Sequence, residues 1–119
     1  MELLYEAETK SVAVSTIIDG LPVPPAEYAS KLAIGASDHA DRADALIRQF
    51  ARSDWPIERM PMLDRIVMRM AVYELLEEPT VDRGIILNEA VELAKRFSTD
   101  DSHRYVNGML TSISNEVGR

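Results

Sequence analysis

Apolar residues recur at intervals of three and four along most of this chain, and no segment alternates with the period of a strand. The pattern therefore predicts helices throughout. Leu3, Leu4 and Ala7 mark a helix over residues 2–10, with no N-cap before it. Such a start is either a frayed terminus or the continuation of a longer helix. Ser11 to Ile18 is short and mixed with Ser and Thr, a weaker helical segment. Gly20, Pro22, Pro24 and Pro25 then break the chain. From Pro25 to Arg52 one helix is predicted, with Pro25 in its first turn. Its stripe is Tyr28, Leu32, Ala36, His39, Ala43, Leu46, Ile47 and Phe50. Gly35 inside this run lowers helix propensity, and close approach of a neighbouring helix is the expected compensation.

Asp54, Trp55 and Pro56 form the next break, and Trp55, the single tryptophan, suits core or hinge packing. Pro61 opens a helix from Met62 to Leu76 whose apolar residues cover almost the whole circumference. A helix apolar all round is buried on most sides, so this one should be central. Pro79 stops it, and Asp82 is a suitable N-cap for a helix from Arg83 to Phe97. Leu87, Ala90, Val91, Ala94 and Phe97 form its predicted buried stripe, with Glu89, Glu92, Lys95 and Arg96 facing water. Glu92 and Arg96 stand at i,i+4, the spacing of an ion pair. Ser98, Thr99 and Asp100 close this helix and cap a last one, roughly Asp101 to Val117, with Val106, Met109, Leu110, Ile113 and Val117 inward. The expected fold is all-α, a compact helical bundle.

Composition narrows the function more than the fold. The chain has 119 residues, 46% of them hydrophobic and 28% charged, which fits one globular domain. With no Cys, disulfides, zinc–thiolate sites and thiol nucleophiles are excluded. No uncharged apolar run approaches the roughly 20 residues of a membrane span, and no secretory signal opens the sequence. A cytoplasmic protein without a membrane partner is the expectation. The net charge of -7 argues against wholesale nucleic-acid binding while leaving room for a local patch. Asp38, His39 and Asp41 mix carboxylates with a histidine, but Asp44 continues the acidic row and His39 belongs to the apolar stripe. A solvated face suits them better than a metal site. No Gly-rich phosphate loop and no nucleophilic triad spacing occurs. A non-enzymatic protein with no cofactor and no metal is expected.

Two positions stand out. Glu74 falls between Leu63, Val67 and Met70 on the helical wheel, inside the apolar surface of the central helix. A carboxylate there needs an internal hydrogen bond or ion pair, for instance an Arg on a neighbouring helix, or a partner protein that covers it. On the last helix, Asp101, Arg104 and Gly108 project to one side, with Tyr105 at the border of that face. An ordinary solvated face would look the same. So would a surface that holds a phosphate and stacks a single-stranded base.

The segments LDRIVMRMAVYELL at 63–76 and ILNEAVELAKRFSTDDSHRYVNGML at 86–110 resemble the NusB transcription antitermination family. The short motifs AVYEL, NEAVELAK and DSHRYVNG follow in the family's order and spacing. LLYEAE at 3–8 and EYASKLAIGA at 27–36 resemble its first and third helices. The resemblance implies an all-α domain of two small subdomains, about 1–54 and about 55–119. It implies antitermination on ribosomal RNA operons, within the RNA polymerase antitermination complex. It implies pairing with the ribosomal protein NusE, the pair binding boxA-type single-stranded RNA. Carried over by motif, Tyr5 and Glu74 face the protein partner, while Asp101, Arg104 and Tyr105 lie near the RNA.

One departure from the family pattern is visible. Members usually carry an arginine-rich stretch running into the first helix, ahead of the LLYE-like motif. Met1 sits where that helix should already be under way. Either Met1 is not the functional start, or RNA binding is weakened. The competing functions are a protein-interaction module of the same fold that has lost RNA binding, and the helical accessory domain of an rRNA cytosine methyltransferase. The latter is disfavoured because the sequence shows no cofactor-binding Gly-rich loop and no methyltransferase domain after Arg119.

Overall fold

The computed structural model describes residues 1–22, 26–51, 56–99 and 101–119. Pro24, Pro25, Arg52, Asp54, Trp55 and Asp100, and the expected subdomain boundary at 54/55, lie outside the described residues. The described chain forms α1 (Glu2–Lys10), α2 (Val14–Asp19), α3 (Glu27–Asp38), α4 (Ala40–Phe50), a 3-10 turn (Ile57–Arg59), α5 (Met62–Glu77), α6 (Arg83–Phe97) and α7 (Ser102–Glu116). No strand occurs among the described residues.

α5 is the centre because its apolar residues lie almost all round it. Val67, Met68, Ala71, Val72 and Leu75 join Ala43 and Ile47 of α4, Ile86, Ala90 and Ala94 of α6, and Val106, Met109, Leu110 and Ile113 of α7 in the main core. Ile66, Met70 and Tyr73 of the same helix pack instead with Ala36 of α3. A third cluster of Ala7, Val14, Ile17 and Ala33 holds α1, α2 and α3 together. Asp82 caps α6 as its position predicts, its carboxylate accepting from the N–H groups of Gly84 and Ile85.

The single helix expected from Pro25 to Arg52 is two helices. The chain turns at His39, whose φ of -100° and ψ of 13° leave the helical region. The His39 backbone N–H donates to the Gly35 carbonyl at 3.0 Å, and ring Nδ1 lies 2.8 Å from the same oxygen. The His39 ring leans on Tyr73, centroids 5.3 Å apart. The bend lets α3 deliver Gly35 and Ala36 to one side of α5 while α4 delivers Ala43 and Ile47 to the main core. Periodicity misses it because the stripe stays in phase across a one-residue break. Gly35 does mark a close approach: a Cβ there would stand 2.3 Å from the nearest ring carbon of Tyr73 and 2.7 Å from its hydroxyl.

Three other expectations change. The acidic row on α4 is not simply solvated, because Arg69 of α5 grips Asp44 with two hydrogen bonds of 2.7 Å. Arg69 also pairs with Glu8 at 3.5 Å and Arg65 with Glu8 at 3.2 Å, so α1, α4 and α5 share one ionic network. Phe97 is not buried but 43% exposed, with the Arg96 guanidinium over its ring, and Ile86 takes the inward position the stripe lacked. Arg96 therefore does not pair with Glu92, whose partner is Lys95 at 3.6 Å.

Two polar devices fix the ends of α5. At its start, fully buried Asp64 accepts from the Ser102 hydroxyl at 2.7 Å, tying α5 to the first residue of α7. At its end, Arg119 donates to the carbonyls of Glu74, Leu75 and Glu78 at 3.1, 3.1 and 3.2 Å, and to that of Val81. These carbonyls have no helical partner of their own or share one, the usual need of a helix C-terminus.

Candidate functional site

The first turn of α7 carries one surface of interest. Asp101, Arg104, Tyr105 and Gly108 line a hollow of about 630 Å³, together with Met109, Ser112 and Phe50 of α4. Their spacing of three and four puts them on one helix face, and the Asp64–Ser102 bond holds the helix start that presents them. Arg104 is exposed, Tyr105 half-buried and Gly108 open, with space where a side chain would stand. Among the described residues nothing pairs with Arg104. The hollow thus offers a cation, a hydroxyl-bearing ring and the positive end of a helix dipole, with Asp101 beside them. Phe50 belongs to the inward stripe that the sequence predicts. It is half-buried at the end of α4, and only the packing of α4 on α7 brings its ring to this rim.

Glu74 lies in a second hollow of about 350 Å³ between α3, α5 and α6. Its partner is a tyrosine, not the arginine considered above: the Tyr28 hydroxyl donates to its carboxylate at 2.8 Å. Tyr28 is therefore exposed at the edge of α3 and not part of a buried stripe. Desolvation pushes the Glu74 carboxyl up from its ordinary value, partly offset by the Tyr28 hydrogen bond. Desolvation, together with the adjoining carboxylate, pushes the Tyr28 phenol up as well. Around this pair stand Leu32, Met70, Leu93 and Ile85, the last 58% exposed, with Glu89 as a second carboxylate. Ile85 is a residue the sequence did not single out. Its signal was present: an Ile beside Ile86 in a helix with room for only one of them inside.

Tyr5 stands on α1, exposed, and does not line the Glu74 hollow. The structure brings Asp101, Arg104 and Tyr105 together around one hollow and does not bring Tyr5 into the hollow that Glu74 lines. Among the described residues no cluster of His, Asp and Glu could hold a metal ion, and no helix is long and apolar enough to cross a membrane.

The NusB family model matches residues 2–115 of the sequence. The chain belongs to the NusB family. The transcription antitermination protein NusB of Symbiobacterium thermophilum is 44% identical over 108 residues, covering 91% of this chain and 70% of that protein. NusB of Salinispora arenicola is 39% identical over 126 residues, covering 100% of this chain and 92% of its own. The solved structure of T. maritima NusB superposes with a TM-score of 0.86 at 29% identity, covering 97% of this chain and 84% of the other. The all-α NusB architecture is therefore shared, and the named relatives are transcription antitermination factors.

Proposed function

We propose that this NusB-family chain pairs with the ribosomal protein NusE, that the pair holds boxA-type single-stranded RNA, and that it acts on ribosomal RNA operons as part of the RNA polymerase antitermination complex in the cytoplasm. The observation that carries the reading is the hollow at the start of α7. It places Arg104, without an ion-pair partner among the described residues, the Tyr105 ring, the Phe50 ring and Asp101 around one open space. Single-stranded RNA is recognised by such a combination of cation and aromatic face, because every base has a π surface.

The Glu74 hollow supports the protein partner. It is a mostly apolar groove with two carboxylates, Glu74 and Glu89, and an exposed isoleucine at its edge. A partner presenting a basic side chain amid apolar ones would satisfy both features. In this reading Tyr5 extends the contact along α1, and the chain works as two small helical subdomains.

The acidic balance favours one competing reading, a protein-interaction module of the same fold that does not bind RNA. Calorimetry with NusE and a boxA-type RNA, added separately and together, decides between them. The proposal expects NusE to bind, Glu74→Ala to weaken that binding by about 2–5 kcal/mol, and RNA to bind the pair. NusE binding without RNA binding establishes the competing reading. Equal affinity of NusE for native and Glu74→Ala protein, both folded, removes Glu74 from the interface.

A further inference from the structure

The groove between α6 and α7 lies beside the Tyr105 hollow and is used by nothing described so far. It encloses about 360 Å³, and Arg104 lines both spaces, forming the ridge between them. Its polar walls are Asn88 and Lys95 of α6 and His103, Arg104 and Asn107 of α7, over an apolar floor that includes Leu87. Asn88 and Asn107 come from two separate sequence motifs, NEAVELAK and DSHRYVNG, and converge only here. We propose that this groove is a second nucleotide site, taking the nucleotide next to the one at Tyr105 along a single-stranded RNA.

Three observations support it. The first is charge. The chain carries 20 acidic residues against 13 basic ones, yet this lining contains no carboxylate. Glu92 meets Lys95 at 3.6 Å, and both side chains are half-exposed. Such a pair is weak and yields readily to a phosphate.

The second is exposed polar capacity that no other side chain of the described residues engages. Among the described residues no hydrogen bond takes up the side chain of Asn88 or Asn107. Each offers two N–H donors and a carbonyl acceptor. That is the inventory needed to meet the edge of an unstacked base, which presents donors and acceptors side by side. The Leu87 floor supplies apolar contact for the face of the same base.

The third is continuity. Arg104 lines both the Tyr105 hollow and the α6–α7 groove, so in this proposal it meets the phosphate between the two nucleotides. The inference rests on the RNA reading above, so its test separates the two.

The test follows the nitrogen-15 signals of the full chain, alone and with NusE, as a boxA-type RNA is added. The expected result is that the side-chain amides of Asn88 and Asn107 shift together with the backbone signals of Arg104 and Tyr105. The double variant Asn88→Ala/Asn107→Ala is expected to bind the RNA about tenfold more weakly. Lys95→Gln is expected to reduce the salt slope by roughly 0.7, the share of one single-strand phosphate. Shifts at Arg104 and Tyr105 without shifts at the two asparagines would overturn the second site and leave the RNA reading standing. Absence of any shift overturns both. Asparagine signals that move with NusE alone, and not with RNA, overturn it in favour of a protein-docking groove. A double variant that stays folded, by its unchanged backbone spectrum, and keeps native RNA affinity overturns it as well.

Discussion

Gly35 of α3 lies so close to the ring of Tyr73 on α5 that a single added methyl group would stand 2.3 Å from a ring carbon. Tyr73 has little freedom to withdraw. Its hydroxyl donates to Glu78 at 3.1 Å and its ring meets His39. Gly35→Ala improves helix propensity by about 1 kcal/mol but overpacks the interface, which typically costs about 1–3 kcal/mol. Urea denaturation should show a net loss of stability, with the midpoint lowered and the slope unchanged. A raised midpoint would mean that α3 can move away from α5 at no cost.

Glu74 and Glu78 are four residues apart and should titrate in opposite directions. Desolvation raises the Glu74 carboxyl, while hydrogen bonds from Lys31 and Tyr73 lower that of Glu78. Carboxyl carbon-13 titration should therefore show Glu74 taking its proton first as pH falls. The signs for stability follow. The folded state binds a proton at Glu74 more readily than the unfolded chain, so its unfavourable ionisation is relieved as pH falls through the raised value. The Glu78 contribution is present above its unfolded value and is lost as pH falls through the lowered one. Glu78 protonating before Glu74 would contradict the geometry around both.

Ser102→Ala should destabilise the chain by about 1–3 kcal/mol, the usual cost of leaving a buried acceptor without its donor. Asp64 has no exposed surface, and the Ser102 hydroxyl at 2.7 Å is what joins it to α7. Thr99 also meets this hydroxyl, at 2.6 Å, so the end of the α6–α7 connection loosens too. Thermal and urea unfolding measure the effect. Native stability in Ser102→Ala would show that α7 is seated by its apolar stripe alone.

Tyr105→Leu keeps bulk at the rim of the α7 hollow and removes the ring. Near-native melting is expected, with RNA affinity in the presence of NusE reduced by about 1–3 kcal/mol, the range of one base–aromatic stack. Arg104→Gln should weaken binding and reduce the salt slope. Parallel loss of stability and affinity in Tyr105→Leu would assign the ring to the core. Unchanged RNA affinity in both variants would return α7 to a structural role.

The sequence by itself determined that the chain is helical and which helix lies at its centre. Periodicity placed α5, α6 and α7 nearly to the residue, because long apolar stripes and the Asp82 cap are local signals. The all-round apolar surface of α5 announced the centre of the fold, and the short motifs announced the NusB family. Tertiary structure decided what depends on where one helix meets another. The turn at His39 exists because α3 and α4 serve different clusters, and a stripe that stays in phase conceals it. Phe97, the last residue of α6, faces outward, although Ile86 three turns earlier on the same helix is buried. The Tyr28–Glu74 bond spans 46 residues, Asp44–Arg69 spans 25 and Ser102–Asp64 spans 38. No spacing rule reaches across such distances, since side-chain pairing along a helix is legible only at three and four residues. The meeting of Asn88 with Asn107 and of Phe50 with Tyr105 arises in the same way, from the packing of α7 against α6 and α4.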